Sequence, residues 1–254
     1  MARSKSMIVA LTDLRNALKV SWMKYFLVGM VLFGPITVVG LLGSMILFVP
    51  PTSPAFEATI ELMMPTASSM IALLAAIPAT LIAANALVGE REQNTLEPLL
   101  CTPLTDRELI WGKTLSSLVP CLAILWGGTA LSTVGLIVLS VAFQAPIIIF
   151  PDLPGLFLIA VGGPIVLVAV VSVMILISGR VSRVYEAYQT GGLAALILMI
   201  PMFLPFVFIS GDAIDQSVVW LSNILTVLIA VVMAVVTWFL ALKRFNRDTM
   251  ISLV

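Results

Sequence analysis

Histidine is absent from this chain of 254 residues, only 10% of the residues are charged, and cysteine occurs twice. Because soluble globular domains contain about 25% charged residues, this chain lacks the polar surface that a water-soluble protein presents. The lack of histidine excludes Ser-His and Cys-His catalysis, histidine-bound zinc or haem, and the usual proton shuttle. Cys101 and Cys121 form neither a CxxC pair nor a ligand cluster. The sequence therefore predicts no disulfide scaffold, no metal site and no catalytic residue.

Neither sign of charge is in excess, because 13 Lys and Arg residues balance 13 Asp and Glu residues. Without a basic surplus to neutralise phosphates, nucleic acid is not an expected partner. Hydrophobic residues make up 61% of the chain, and this composition indicates the lipid bilayer as its surroundings.

Long stretches without any charged residue set the number of membrane spans. Those of spanning length are 25–56, 62–89, 114–151, 153–179, 187–211 and 216–242. A transmembrane helix needs about 20 apolar residues, so each stretch can hold one. We interpret 114–151 as one span followed by an apolar loop around Pro146, Pro151 and Pro154. The sequence predicts an all-α membrane protein with six transmembrane helices.

The Lys and Arg residues indicate the orientation, because they are enriched in cytoplasmic loops. With six spans all 13 fall on one side of the membrane, a pattern that five or seven spans would break. They lie in the N-terminal segment, the second and fourth loops and the C-terminus: Arg3, Lys5, Arg15, Lys19, Lys24; Arg91, Arg107, Lys113; Arg180, Arg183; Lys243, Arg244, Arg247. Both termini are therefore predicted to be cytoplasmic.

The first 24 residues have the pattern of an amphipathic helix. Apolar side chains recur at steps of three and four, at Met7, Leu11, Leu14, Leu18 and Trp22. Such a stripe, with basic residues on other faces, is typical of a helix that lies in the membrane interface. Residues 1–24 are accordingly predicted to form an interfacial helix on the inner side, the alternative being a frayed cytoplasmic tail.

Small side chains line the second predicted span and would let another helix approach closely. Two neighbouring ridges are formed by Ser68, Ala72 and Ala76 and by Ala75, Ala79 and Ala83. Packing within the chain is the ordinary explanation of such residues. We nevertheless take one face as the best candidate for a subunit interface or a substrate path, namely Ser68, Ala72, Ala76, Ala79 and Ala83.

The fifth predicted span contains Pro201 and Pro205, and prolines remove backbone donors and kink helices. Two alternatives follow: a span that ends early, with a re-entrant hairpin before the sixth span, or a single kinked helix. No carboxylate, Lys or Arg is expected in the middle of any span, which argues against a proton-coupled carrier. Trp126 does not fit the aromatic belts at the membrane surfaces and is expected to pack inside the bundle.

The cytoplasmic loop at residues 88–113, VGEREQNTLEPLLCTPLTDRELIWGK, contains two helix start signals. In the first, Thr95 can cap a short helix that Pro103 ends. This helix would present Leu96, Leu99 and Leu100 on one face, because they are spaced i, i+3 and i+4. The segment is therefore either a docking helix or a solvated loop whose leucines lie against the bilayer.

The second start signal begins the third span. Thr105 and Glu108 have the spacing of a capping box, and Leu104 and Leu109 that of a hydrophobic staple. A firmly defined start would make the whole loop a rigid element at the end of two transmembrane helices.

This loop closely resembles that of the permeases of type-2 ATP-binding-cassette exporters. The pattern G-E-R-E-x-x-T-L-E-x-L-L-x-T-P is present from Gly89 to Pro103, and Arg107-Glu108-Leu109 and Gly112-Lys113 continue it. The strong match covers this loop, and the rest of the chain agrees in layout: a basic amphipathic start, six spans and a broken fifth span. Asn94 departs from the family, where glycine or a charged residue is frequent, and we expect no effect on the fold.

The resemblance implies a single permease domain over residues 1–254 that pairs with a second permease subunit, expected to be an identical chain. It also implies separate ATPase subunits, which bind the family's coupling helix in a groove. Carried over to the coupling loop at 89–113, the ATPase contacts would be Thr95, Leu96, Glu97, Leu99, Leu100, Thr102 and Pro103. Glu90, Arg91 and Glu92 would fix the loop by ion pairs.

The chain contains no G-x-x-x-x-G-K-[ST] phosphate loop, so ATP and Mg²⁺ are expected on the partner ATPase and no cofactor in this chain. The resemblance thus implies a non-catalytic subunit that exports a substrate, itself left open, across the cytoplasmic membrane of a prokaryote. The alternative is an ATP-independent secondary carrier or channel. An intramembrane enzyme based on Ser178 or Ser210 is opposed by the lack of His and of a Lys base at membrane depth.

Overall fold

The computed structural model describes residues 5–19, 21–51, 53–89, 105–178, 181, 183–207 and 215–244. Within these ranges every regular element is a helix and no strand occurs. The helices are α1 (Lys5–Lys19), α2 (Ser21–Phe48), α3 (Pro54–Ala84), α4 (Asp106–Ala142), α5 (Leu153–Phe157), α6 (Gly163–Ser178), α7 (Val184–Met202), α8 (Leu204–Val207) and α9 (Gln216–Arg244). Two π-helical turns, Asn85–Gly89 after α3 and Leu158–Gly162 between α5 and α6, continue their helices.

Five helices among the described residues are long and apolar enough to cross a membrane. They are Ser21–Phe48, Ala55–Ala84, Glu108–Ala142, Leu153–Ser178 and Gln216–Ala241. Each overlaps a charge-free stretch over most of its length, and α4 ends at Ala142 before a loop, as predicted for the longest stretch. The remaining predicted span, the fifth, corresponds to α7, whose polar first turns, with Tyr185, Glu186 and Gln189, lower its mean hydropathy. The all-helical class is confirmed, and the count of six spans stays a prediction.

The broken fifth span is visible as an interruption between α7 and α8 at Phe203. Pro205 has no N–H to donate to the carbonyl of Pro201, four residues earlier. The hydroxyl of Ser222, on α9, donates to that carbonyl at 2.8 Å. The re-entrant hairpin would continue into 208–214, which lies outside the described residues, so both alternatives stay open.

The core of the bundle is formed by α3 and by the Leu153–Ser178 helix, whose spans are the most buried. The latter packs against α3, α4, α7 and α9. In contrast, α2, α4 and α9 present many large apolar side chains on their outer faces. Trp126 belongs to such a face: it is 50% exposed, so the expectation that it packs inside the bundle is wrong for the single chain. These faces are suited to lipid or to another chain.

The N-terminal helix predicted for residues 1–24 is present as α1, but it is shorter. It ends at Lys19, and α2 begins at Ser21, so Trp22 belongs to α2. Met7 and Leu11 are 47% and 41% exposed, whereas Val9 and Ala10 are buried against the bundle. Of the predicted stripe, Met7 and Leu11 therefore face outward, as required for contact with lipid in the interface.

Cysteine accessibility tests the span count and the orientation. In a background with Cys101→Ser and Cys121→Ala, we expect Glu57→Cys and Asp215→Cys to react with a membrane-impermeant maleimide in intact cells. Tyr185→Cys and Lys243→Cys should react only after permeabilisation, because Lys and Arg hold these loops inside.

Tyr185 lies in the first turn of α7, Asp215 follows α8 in the chain, and both are exposed. This pair therefore decides whether the fifth predicted span crosses the membrane. Equal labelling of the two positions from one side would reduce the count to five. Labelling of Tyr185→Cys from outside would reverse the orientation.

Candidate functional site

At the loop end of the bundle, where α3 ends and α4 begins, polar contacts join helices that are distant in the sequence. The turn Asn85–Gly89 after α3 is π-helical, a distortion often found at functional sites. Asn85 donates through Nδ2 to the carbonyl of Leu81 at 2.9 Å and to the hydroxyl of Tyr188 at 2.8 Å. The bond from Asn85 to Tyr188 joins the turn after α3 to α7. Nothing in the sequence pattern predicted this pair.

The coupling loop itself lies largely outside the described residues. This applies to the proposed ATPase contacts Thr95, Leu96, Glu97, Leu99, Leu100, Thr102 and Pro103 and to Glu90, Arg91 and Glu92. Their roles stay predictions. The structure describes the two ends of the loop, at Gly89 and at Thr105.

The start of α4 is the capping box that the sequence predicted. The N–H of Glu108 donates to Thr105 Oγ1 at 3.3 Å, and the N–H of Thr105 donates to Glu108 Oε2 at 2.9 Å. Leu109 is buried, while its predicted staple partner Leu104 lies outside the described residues. Two backbone donors are satisfied by side chains, which fixes the direction in which the loop joins α4.

Lys113 lies in α4 and is only 1% exposed, although the sequence assigned it to the cytoplasmic loop. Its Nζ is 3.4 Å from Oδ2 of Asp13, on α1, and donates a hydrogen bond to the carbonyl of Ala86, in the π-helical turn. Sequence reasoning counted Lys113 for orientation and missed Asp13. The only available signal was a single carboxylate within an otherwise basic N-terminal segment.

Gly112 permits the close approach of α1 to α4. A Cβ at this position would lie 2.8 Å from Cβ of Val9 and 2.9 Å from the backbone oxygen of Ser6. Because one of these atoms belongs to the backbone, a larger residue would move α1 away. The Gly112-Lys113 pair thus provides both the space for α1 and its ionic partner.

The small-residue face on α3 is buried inside the single chain. Ser68, Ala72, Ala75, Ala76, Ala79 and Ala83 are each at most 3% exposed. Their helix packs against α2, α4, α6 and α7, and packing within the chain accounts for the small side chains. In the single chain this face is covered by neighbouring helices and is not open to a second subunit. Its proposed role as a subunit interface or substrate path is not tested by the single chain and stays a prediction.

At the opposite end of the bundle, Asp152 caps α5 and accepts a hydrogen bond from the N–H of Gly155 at 3.0 Å. Burial raises the pKa of the Asp152 carboxyl above its ordinary value of 3.8, and the hydrogen bond from Gly155 opposes this rise. Gly155 lies against Ser68 of α3 without room for a side chain. The carbonyl of Pro154 accepts a hydrogen bond from Asn223 of α9 at 2.9 Å.

Between α4, α6 and α9, an apolar groove of about 430 Å³ opens on the side of the bundle. Trp111 and Trp238 border it with ring centroids 4.6 Å apart, and Thr114 and Ser172 are the polar residues in its lining. Within the described ranges, no three His, Cys, Asp or Glu side chains are grouped so that they could hold a metal ion.

The fold defines a multi-pass helical membrane protein whose helices are joined by polar contacts at the loop end, among other places. Residues 7–214 match the model of the family described as ABC-2 family transporter protein. The chain belongs to this family and is a permease component of an ABC transporter, a membrane transport part that associates with ABC ATPase partners. A comparison with curated proteins gives no match.

Removal of the cap should loosen the start of α4. We expect Thr105→Ala to destabilise the first turn by about 1 kcal/mol, because an N-cap side chain contributes about this much. Amide hydrogen exchange in residues 106–109 should become about fivefold faster, since 1.4 kcal/mol corresponds to a factor of ten. Thr12→Ala is the control, because the hydroxyl of Thr12 bonds to Ile8 within α1. Equal exchange in both variants would contradict the capping role.

Asp152 and Asp215 cap helices at the end of the bundle opposite the coupling loop. Their contributions to the free energy of unfolding should respond to pH in opposite directions. Folded Asp152 keeps its proton to a higher pH than the unfolded chain does, so its ionisation lowers the free energy of unfolding as pH rises through its raised pKa. Hydrogen bonds from Ser217 lower the pKa of exposed Asp215, so its contribution is lost as pH falls.

Thermal unfolding of the purified protein between about pH 3 and pH 7 tests this difference. Asp152→Asn should remove the decline at rising pH and retain the cap, because Asn also caps helices. Asp215→Asn should remove only a decline at falling pH. A pH profile of Asp152→Asn that is identical to the wild type would show that the buried carboxyl does not contribute.

Proposed function

We propose that this chain is the transmembrane subunit of an ATP-driven exporter, and that a separate ATPase subunit hydrolyses ATP. Membership of the ABC-2 transporter family carries the proposal. It is supported by the loop pattern from Gly89 to Pro103 and by the absence of a phosphate loop in the sequence. The proposal includes the cytoplasmic membrane of a prokaryote as its place of action, which the resemblance of the loop implies.

The coupling step follows from the two ends of the loop. Leu96, Leu99 and Leu100, by their i, i+3, i+4 spacing, would form an apolar face that an ATPase groove would cover. On one side the loop joins α3, which packs closely against α2, α4 and α6. On the other side it joins α4 through the capping box at Thr105. A displacement of the docked segment therefore moves two helices and does not only bend a flexible loop.

The transport cycle is a shift between two conformations. ATP brings two ATPase subunits together, and the permease state that fits the closed ATPase pair becomes more populated. Two permease chains surround the pathway, and it opens alternately to the inside and to the outside.

The outer surface of α2 and α4 supports pairing with a second permease chain. A groove of about 520 Å³ between these helices is lined by Gly40, Gly43, Ser44 and Gly135 together with larger apolar residues. Small residues allow helices from two chains to approach closely in lipid. This surface is accessible in the single chain, in contrast to the small-residue face of α3.

Co-purification from the native membrane tests the proposal. A stoichiometric ATPase should accompany the wild-type chain. The triple variant Leu96→Asp, Leu99→Asp and Leu100→Asp should release it, because burial of unpaired carboxylates in an apolar groove costs several kcal/mol.

A matched control places acidic residues in the same loop without removing a leucine. Gln93→Asp with Asn94→Asp adds two carboxylates and should retain the ATPase. If no ATPase accompanies the wild type, the proposed function fails. If the triple variant still binds the ATPase, the contact residues are wrong although the function stands.

A further inference from the structure

The contact of Lys113 with Asp13 and Ala86, hereafter the inner junction, is the largest buried charged feature among the described residues. Lys113 is the largest side chain with almost no solvent exposure, and Asp13 is 19% exposed. Removing an ammonium group from water costs several kcal/mol unless a partner and hydrogen bonds compensate it. The ion pair with Asp13 and the bond to the Ala86 carbonyl provide such compensation.

The inner junction connects three elements that are separate in the sequence. Asp13 belongs to α1, Ala86 to the π-helical turn after α3, and Lys113 to α4. Ala86 precedes the coupling loop and Lys113 follows it, so a single side chain joins both ends of the loop. The same side chain also holds the helix that lies in the membrane interface.

The geometry around the junction restricts α1 to one position. Gly112 leaves no room for a side chain between α4 and the backbone of Ser6. Val9 and Ala10 are buried on the same side of α1 that carries Asp13. The hydroxyls of Ser116 and Ser117 donate to the carbonyl of Lys113, which adds local bonds to the backbone of α4 at this point.

An apolar residue in place of Lys113 could fill the space but could not fix the direction of the contact. The buried ammonium must stay within reach of both the carboxylate and the carbonyl, because losing either leaves a buried charge less compensated, whereas apolar packing permits sliding. A charge that is buried and paired is therefore suited to keep elements in register while they move.

We infer that Lys113 is a positioning residue for energy coupling: it keeps α1 and the two helices that flank the coupling loop together, so that they move as one body. The inference rests on the proposed function for the origin of the motion. The rigid connection itself is a property of this chain and can be tested even if the proposed function fails.

Distances between spin labels test the rigid connection. Asn16 on α1 and Ile77 on α3 are both exposed and can be labelled as cysteines in the cysteine-free background. Labelled chains are diluted with unlabelled chains, so that only the distance within one chain is measured. In lipid nanodiscs, the wild-type complex should then give one narrow distance distribution that is the same without nucleotide and after trapping with ATP and vanadate. Lys113→Met should broaden this distribution or make it shift with nucleotide.

The matched control is Lys19→Met, which makes the same chemical change at an exposed lysine of α1. It should leave the distribution narrow. Asp13→Asn provides a second route if Lys113→Met does not fold, because it weakens the hold on α1 and retains the bond from Lys113 to Ala86. It should also broaden the distribution.

A double variant separates a paired charge from simple packing. Lys113→Met alone leaves the Asp13 carboxylate without its partner, so it should lower the unfolding temperature more than the double variant Asp13→Asn with Lys113→Met. Equal effects would show that the two side chains do not interact.

Two results would overturn the inference. One is a narrow, nucleotide-independent distribution in both Lys113→Met and Asp13→Asn, and the other is a wild-type distribution that itself shifts with nucleotide. Failure of the proposed function is a different observation, namely the absence of an ATPase from the wild-type preparation. In that case the nucleotide-free comparison of wild type, Lys113→Met and Lys19→Met still decides whether the junction holds α1.

Discussion

The hydrocarbon interior offers a helix no water to satisfy a free carbonyl or N–H, and this constraint explains the contacts at the helix breaks in the described residues. The carbonyl of Pro201 lacks the N–H that Pro205 would have donated and is satisfied by Ser222 of α9. Near the second π-helical turn, the carbonyl of Pro154 accepts from the N–H of Leu158 and also from Asn223 of α9. At the first π-helical turn, Lys113 satisfies the carbonyl of Ala86. Each irregularity thereby becomes a connection between helices that are distant in the sequence.

These connections divide the bundle into a fixed part and an adaptable surface. Small residues allow α3 to pack closely with its neighbours, so it can transmit a displacement along its length without local rearrangement. The coupling loop follows directly on this helix. The outer faces of α2, α4 and α9, in contrast, present large apolar side chains that only lipid or a second chain can cover. In the proposed function, coupling and pairing therefore use different faces of the molecule.

Much of the architecture could be predicted because membrane burial leaves a direct record in the sequence. Five of the predicted spans, drawn from stretches without charged residues, are present as helices of spanning length. The capping box of Thr105 and Glu108 was predictable because it depends only on local spacing. The loop pattern gave the family. The burial of Lys113 and its ion pair with Asp13 could not be predicted. A lysine next to a predicted cytoplasmic loop is expected to face water or lipid headgroups until a partner is known. Trp126 was misplaced for a related reason: a side chain outside the aromatic belts can face lipid or the core, and periodicity does not distinguish them.

The sequence by itself determined that this is a helical membrane protein of the ABC-2 transporter family, since hydrophobic length, local capping and a contiguous loop pattern depend on neighbouring residues only. The tertiary structure alone decided which helix faces are covered and which polar groups meet. Asp13 and Lys113, or Asn85 and Tyr188, come together only after the helices have packed. No local rule specifies such pairs, because their separation in the chain is far longer than any helical or turn period.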